Sequence, residues 1–223
     1  MKKKIILIAL IGAILSVVIY FYTQNKEITI VALGDGLALG MTPYGIEGYS
    51  FNDYLKEDYL NKHELKAYIH EFASKGKTIK ELIYEIKENK AITIKNKKIE
   101  IKQAINQADI LTIAIGMDEL ANTKITNQIK NEYLHDLEEL LSMIKMLNQN
   151  KVIIVSLYTW GKNDLLTIEK LNASIRDMVL TNDFLFIDIN KILMKEEYYL
   201  NKESFYINYM GHQRIYEEIK KLL

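Results

Sequence analysis

The feature that most constrains the fold is an alternation that begins at Ile28 and runs to the end of the chain. Short apolar runs rich in Ile, Val and Leu take turns with segments of helical spacing. Ile28–Leu33 reads as a strand that ends in Gly34-Asp35-Gly36. Ile110–Ile115 reads as a second buried strand ending at Gly116, and Val152–Leu157 and Phe184–Ile189 as two more. Leu65–Glu71 is the least apolar of the strand candidates. Between them, Thr78–Glu88 places Ile79, Leu82, Ile83 and Ile86 on one helical face. Lys124–Asn148 carries the stripe Ile129, Tyr133, Leu137, Leu140, Leu141, Ile144 and Leu147, a further helix is centred on 165–180, and Tyr209–Leu223 closes the chain as a helix. Short apolar strands alternating with helices imply parallel βαβ units with both sheet faces covered. Right-handed crossovers then limit the topology to a three-layer α/β/α sandwich, a doubly wound parallel sheet of about five strands. Lys90–Lys102 is an addition to that pattern, read as a hairpin with Asn96-Lys97 at its turn.

The segment before the alternation is of another kind. Lys2, Lys3 and Lys4 precede 18 uncharged residues, Ile5 to Tyr22. At about 1.5 Å rise per residue that run approaches the ~30 Å thickness of a bilayer's hydrocarbon core. It ends in Ile19-Tyr20-Phe21-Tyr22, too bulky for a signal-peptidase site, which needs small residues at −1 and −3. Terminal aromatics suit the membrane interface, and the lysines favour the cytoplasmic side. The expected layout is a cytoplasmic tip at 1–4, a transmembrane signal anchor at 5–22, a linker at 23–27 and one extracytoplasmic domain at 28–223, in a single-pass protein of the cell membrane.

Composition narrows the chemistry. A 49% hydrophobic content fills a real core. The 29 basic and 29 acidic side chains cancel overall, but removing the three lysines of the tip leaves 26 against 29, or about −3 outside it. Neither figure suits a nucleic-acid binder. With no cysteine there is no disulfide framework, thiolate metal site or thiol nucleophile. The excess of Lys, Ile and Asn reads as a coding bias without functional content.

In an open α/β sheet, ligands bind beyond the carboxyl ends of the strands. Four blocks lie there or just before the last helix. They are Gly34-Asp35-Gly36-Leu37, Ser74-Lys75-Gly76-Lys77-Thr78, Gly116-Met117-Asp118-Glu119, and Glu203-Ser204-Phe205-Tyr206-Ile207-Asn208-Tyr209-Met210-Gly211. In this order they resemble the blocks of the SGNH/GDSL hydrolases, the GDSL-like lipases and acylhydrolases, from about Ile28 to Leu223. The resemblance implies a flavodoxin-like sheet and ester-hydrolase ancestry. It also implies roles. Gly36 stands where the family has its nucleophilic serine, after Asp35. Gly76 stands where a backbone N–H helps form the oxyanion hole. Asp118 replaces the asparagine that completes that hole. Glu203 replaces the aspartate of the final block and Tyr206 its histidine, while Asn208 and Gly211 keep the register.

These departures remove the parts that acyl transfer needs: an oxygen nucleophile, a base in reach, and donors aimed at the developing oxyanion. Gly36 has no side chain. A tyrosine with an ordinary pKa near 10 is a poor base at neutral pH. An ionised aspartate only accepts hydrogen bonds. Removing the nucleophile of a serine hydrolase alone costs up to about a million-fold in turnover. Thr42 and Ser50 are the threonine and serine of the loop after the first strand, and His212, read as a partly exposed helix residue, is the nearest histidine to the final block. No motif points to a metal or cofactor. The carboxyl groups of Asp35, Asp118, Glu119 and Glu203 are expected in capping and solvated roles. Tyr198, Tyr199, Phe205, Tyr206 and Tyr209 are expected chiefly to pack under the last helix.

The expected function is therefore that of a catalytically inactive, membrane-anchored relative of these esterases, binding an envelope glycan, lipid or protein partner through the inherited cleft. The competing expectation is an active esterase or O-acyl hydrolase with displaced catalytic groups.

Overall fold

The computed structural model describes residues 27–160, 163–201 and 204–223. The expected cytoplasmic tip, signal anchor and nearly all of the linker lie outside the described residues, as does Glu203. Among the described residues no helix is long and apolar enough to cross a membrane.

In chain order the elements are β1 (Ile28–Gly34), α1 (Gly36–Leu39), α2 (Phe51–Asn61), β2 (Leu65–Ile69), α3 (Ile79–Lys87), β3 (Ala91–Ile94), β4 (Lys97–Glu100), α4 (Ile101–Gln107), β5 (Ile110–Ala114), α5 (Met117–Leu120), α6 (Asn127–Leu147), β6 (Lys151–Val155), α7 (Leu165–Thr181), β7 (Leu185–Ile187), α8 (Ile189–Ile192), a 3-10 turn (Glu196–Tyr198) and α9 (Tyr209–Lys220). Five strands form one sheet in the order β2-β1-β5-β6-β7, with every pair parallel. The hairpin set aside, this is the flavodoxin-like order, and the direction of winding reverses between β1 and β5.

Burial explains the strand sequences. Ile30, Val31, Ala32 and Leu33 of β1 are each 0% exposed, which requires cover on both faces. On one side α2 packs with α9; on the other α3 and α4 pack on α6, which also meets α7. Gly34 closes β1 where a side chain cannot exist: a Cβ there would lie 1.8 Å from the Ala114 carbonyl oxygen. That close approach brings the carboxyl ends of β1 and β5 together.

The helix termini carry their own signals. Thr78 and Glu81 form a capping box at α3, and Ser50 and Asp53 form one at α2. Helix α2 is the element that apolar spacing does not announce. It buries Phe51, Asn52 and Leu55 on an otherwise polar helix. The hairpin is present, but its turn is Lys95-Asn96, one residue before the expected Asn96-Lys97. Both turn residues have positive φ, 48° and 65°, as a two-residue type I′ turn requires.

Candidate active site

The first block folds as the end of β1 turning into the single turn α1. Asp35 is completely buried and links two loops. Its Oδ1 accepts from the Leu37 N–H at 3.0 Å, and its Oδ2 accepts from the Asp118 N–H at 3.1 Å. Burial, and then the charge of Asp118, raise the Asp35 carboxyl well above the usual carboxylate range.

Asp118 sits on α5, directly beyond β5. Its Oδ2 accepts two backbone donors, the Gly36 N–H at 3.0 Å and the Gly76 N–H at 2.6 Å. Its Oδ1 accepts from the Tyr206 hydroxyl at 3.0 Å. Two backbone N–H groups converging on one oxygen is the geometry of an oxyanion hole. Here the oxygen belongs to the protein's own side chain. The Tyr206 phenol is held above its ordinary pKa, first by burial and then by Asp118. Lys75 Nζ lies 6.0 Å from the centre of the Tyr206 ring.

The volume above Gly36 is filled as well. A Cβ at Gly36 would lie 2.8 Å from Tyr206 Cε1, 2.8 Å from Tyr206 Oη and 2.9 Å from Asp118 Oδ2. Four of the five described positions of the family pattern, Gly36, Gly76, Asp118 and Tyr206, thus meet at one point, and the fifth, Asp35, is bonded to the Asp118 N–H.

The other candidates are engaged elsewhere. Ser50 is buried and bonded to Asp53 as the α2 cap, and Thr42 Oγ1 donates to the Ile46 carbonyl. Glu119 Oε2 accepts from the Ile79 N–H at the start of α3. His212 is not partly exposed as expected. It is 1% exposed and stacked on Phe51 with ring centres 6.3 Å apart, because α9 packs that face on α2. Burial pushes its imidazole down to about 4.

The aromatic run divides its roles. Tyr198 is buried and Tyr209 is exposed. Phe205 lies against Tyr206 at 4.6 Å and stacks on Tyr158 at 6.3 Å, while Tyr199 stacks on Trp160 at 5.5 Å. Tyr158 and Trp160, which follow β6, carry no motif, and their place beside the final block depends on sheet order. Tyr158 is 1% exposed and its hydroxyl donates to the Phe205 carbonyl at 2.9 Å, so it props the segment that carries Tyr206.

The comparisons agree with this architecture. The lipase/acylhydrolase from Enterococcus faecalis is similar in structure, with a TM-score of 0.62 at 19% identity over 88% of this chain and 97% of its own. The lipase Lip_vut3 from goat rumen metagenome has a TM-score of 0.69 at 17% identity, over 87% of this chain and 97% of its own. A catalytic mutant of Axe2, an acetylxylan esterase from Geobacillus stearothermophilus, has a TM-score of 0.64 at 15% identity, over 88% and 94%. At such identities these likenesses establish the fold. No curated protein sequence matches the chain. The family model described as GDSL-like Lipase/Acylhydrolase matches residues 30–218, most of the chain, and the chain therefore belongs to the GDSL-like lipase/acylhydrolase family.

Proposed function

We propose that this protein is a GDSL-family member that does not hydrolyse esters by the family route, and that it binds a cell-envelope glycan, lipid or protein partner. The observation that carries this reading is the position of the Asp118 carboxyl group. It holds the two N–H groups that would stabilise a tetrahedral oxyanion, and with Tyr206 it fills the room a nucleophile at residue 36 would need. A substrate carbonyl would have to displace an acceptor already bonded to three donors. With no side chain at Gly36, the hydroxyl that the family route uses as nucleophile is missing. Residues 5–22 anchor the chain in the cell membrane, and the family domain faces outward. The support for this is the uncharged run behind three lysines.

The test is an assay of the full-length chain with short-chain aryl esters and with acetylated glycan. The expected result is no turnover above the buffer rate. Turnover that disappears in the Asp118→Ala variant overturns the reading and restores the esterase alternative.

A further inference from the structure

The parallel sheet has two ends of different character. The cleft lies at the carboxyl ends of β1 and β5, where Gly36 and Asp118 follow the strands. At the opposite end the strands begin, at Ile28, Leu65, Ile110, Lys151 and Leu185. Helices α2, α6 and α7 finish just before β2, β6 and β7 begin, so their last turns lie at that end. Helix α9 reaches it too: Lys220 Nζ donates to Asp58 of α2 at 3.2 Å, and Lys151 Nζ donates to the Leu223 carbonyl at 2.8 Å.

These are the four longest helices among the described residues, and all four end alike. Leu60 on α2, Met146 on α6, Leu180 on α7 and Leu222 just after α9 are 48%, 78%, 50% and 40% exposed. A lone exposed apolar side chain needs no explanation, but one at the foot of each long helix makes a face. Lys62, Lys145, Lys220 and Lys221 stand among them, paired with Asp58, Asp183 and Glu218. The face is therefore a set of apolar points in a largely neutralised ring, not a polybasic patch.

The start of β1 decides what this face meets. The uncharged run ends at Tyr22 and β1 begins at Ile28. The five residues between, 23–27, span at most about 18 Å even when fully extended. With residues 5–22 in the bilayer, Ile28 is held near the headgroups, and the end of the sheet that contains it is the end turned to them.

We propose that the amino-terminal end of the sheet docks on the bilayer that holds the anchor. Leu60, Met146, Leu180 and Leu222 enter the headgroup region, and the lysine stems lie alongside them. The docking rests on the membrane anchor proposed for residues 5–22. Exposed apolar side chains occur at the other end as well, Tyr44 and Ile46 among them, in the loop where Glu47 approaches His70 beyond β2. The short link to the anchor selects the amino-terminal end over that one. Strand β1 has seven residues, a rise of about 23 Å. The docked domain thus holds Gly36 on its far side, and the cleft opens away from the lipid beneath it.

The chain has no cysteine, so one introduced at the surface is labelled uniquely. Met146→Cys, Leu180→Cys and Tyr44→Cys all alter exposed positions. Each full-length variant is labelled with a fluorophore and placed in phosphatidylcholine nanodiscs with or without a lipid that carries a nitroxide on its headgroup. The expected result is a loss of emission from the Met146→Cys and Leu180→Cys labels when the nitroxide is present, and none from the Tyr44→Cys label. Because apolar contact carries the docking, that loss should persist in high salt. Alkaline carbonate extraction of membranes holding the wild-type chain tests the anchor separately. A chain retained by the membrane whose Met146→Cys and Leu180→Cys labels are not quenched overturns the docking and leaves the anchor standing. Stronger quenching of the Tyr44→Cys label does the same. A chain released by carbonate overturns the anchor, and the docking with it.

Discussion

The Tyr206 hydroxyl donates to Asp118 Oδ1 at 3.0 Å, joining the position of the family's base directly to the position of its oxyanion amide. In a working esterase these two groups act on the substrate from different sides. Here they act on each other. With Asp118 Oδ2 bonded to Gly36 and Gly76, the pair closes the cleft over the missing nucleophile.

Restoring the serine alone is therefore expected to fail. In Gly36→Ser the new Cβ meets Tyr206 at 2.8 Å and Asp118 at 2.9 Å, and relieving such overlap costs typically about 1–3 kcal/mol. Thermal unfolding should show the loss, and aryl-ester assays should show no gain. Adding Asp118→Asn and Tyr206→His to Gly36→Ser removes the repelling carboxylate and supplies a base. That triple variant should turn over the ester above the background of the single one. Equal rates in the two would mean that the crowding at Gly36 is not what blocks the chemistry.

Asp118→Ala should expose an anion cradle. Losing the carboxyl leaves the Gly36 N–H without its acceptor, at a cost of about 1–3 kcal/mol. Acetate can then occupy the space between the Gly36 and Gly76 donors. The expected outcome is that acetate raises the melting temperature of the variant and not of the wild type, with chloride at matched ionic strength as control. A wild type that gains as much as the variant would show that acetate acts elsewhere.

Asn52 is a buried clamp whose removal should be costly. Its Nδ2 donates to the Ala38 carbonyl at 3.0 Å, and its Oδ1 accepts from the Thr112 hydroxyl at 2.6 Å. It thereby ties α2 to α1 and β5 beneath the cleft. Asn52→Leu leaves both partners buried and unpaired, and should destabilise the chain by about 2–4 kcal/mol in urea unfolding. Asn52→Leu combined with Thr112→Val removes one of those orphans and should recover part of the loss. A double variant no more stable than the single would show that the Thr112 bond contributes nothing.

That clamp also shows where the sequence stops being readable. The strands were legible because Ile30–Leu33 and Ile110–Ile113 are buried on both faces, so their apolar runs are interrupted only at Thr112. The cleft positions were legible because Gly36, Gly76, Asp118 and Tyr206 follow strand ends or precede the last helix. The asparagines were not. Asn52, Asn172 and Asn190 look like compositional excess, yet each is buried and bonds a segment remote in sequence. An asparagine at the surface and one clamping a loop have the same local pattern; the difference lies in long-range pairing. Asp118 was legible as a substitution, but its filling of the oxyanion site depends on how closely the β1 and β5 ends approach. Helix α2 was missed for a related reason, since its buried face includes Asn52 in place of an apolar residue.

The buried imidazole of His212 sets an acid limit on stability. Unfolded, it titrates near 6.5; folded, burial lowers it to about 4, with the Met41 backbone and Asp53 pulling weakly the other way. Between those values the unfolded chain binds the proton more readily, so stability falls as pH drops from about 6.5 to 4 and this contribution is level on either side. The full span amounts to about 3 kcal/mol. Asp35 works in the opposite direction. Its raised carboxyl is protonated more readily in the folded state, so its contribution strengthens as pH falls. Comparison with His212→Phe separates the two, since the phenyl ring keeps the stacking on Phe51 and cannot titrate. Urea unfolding at pH 7 and pH 5 should show a smaller loss of stability in the variant than in the wild type. Equal losses would place the acid sensitivity on other groups.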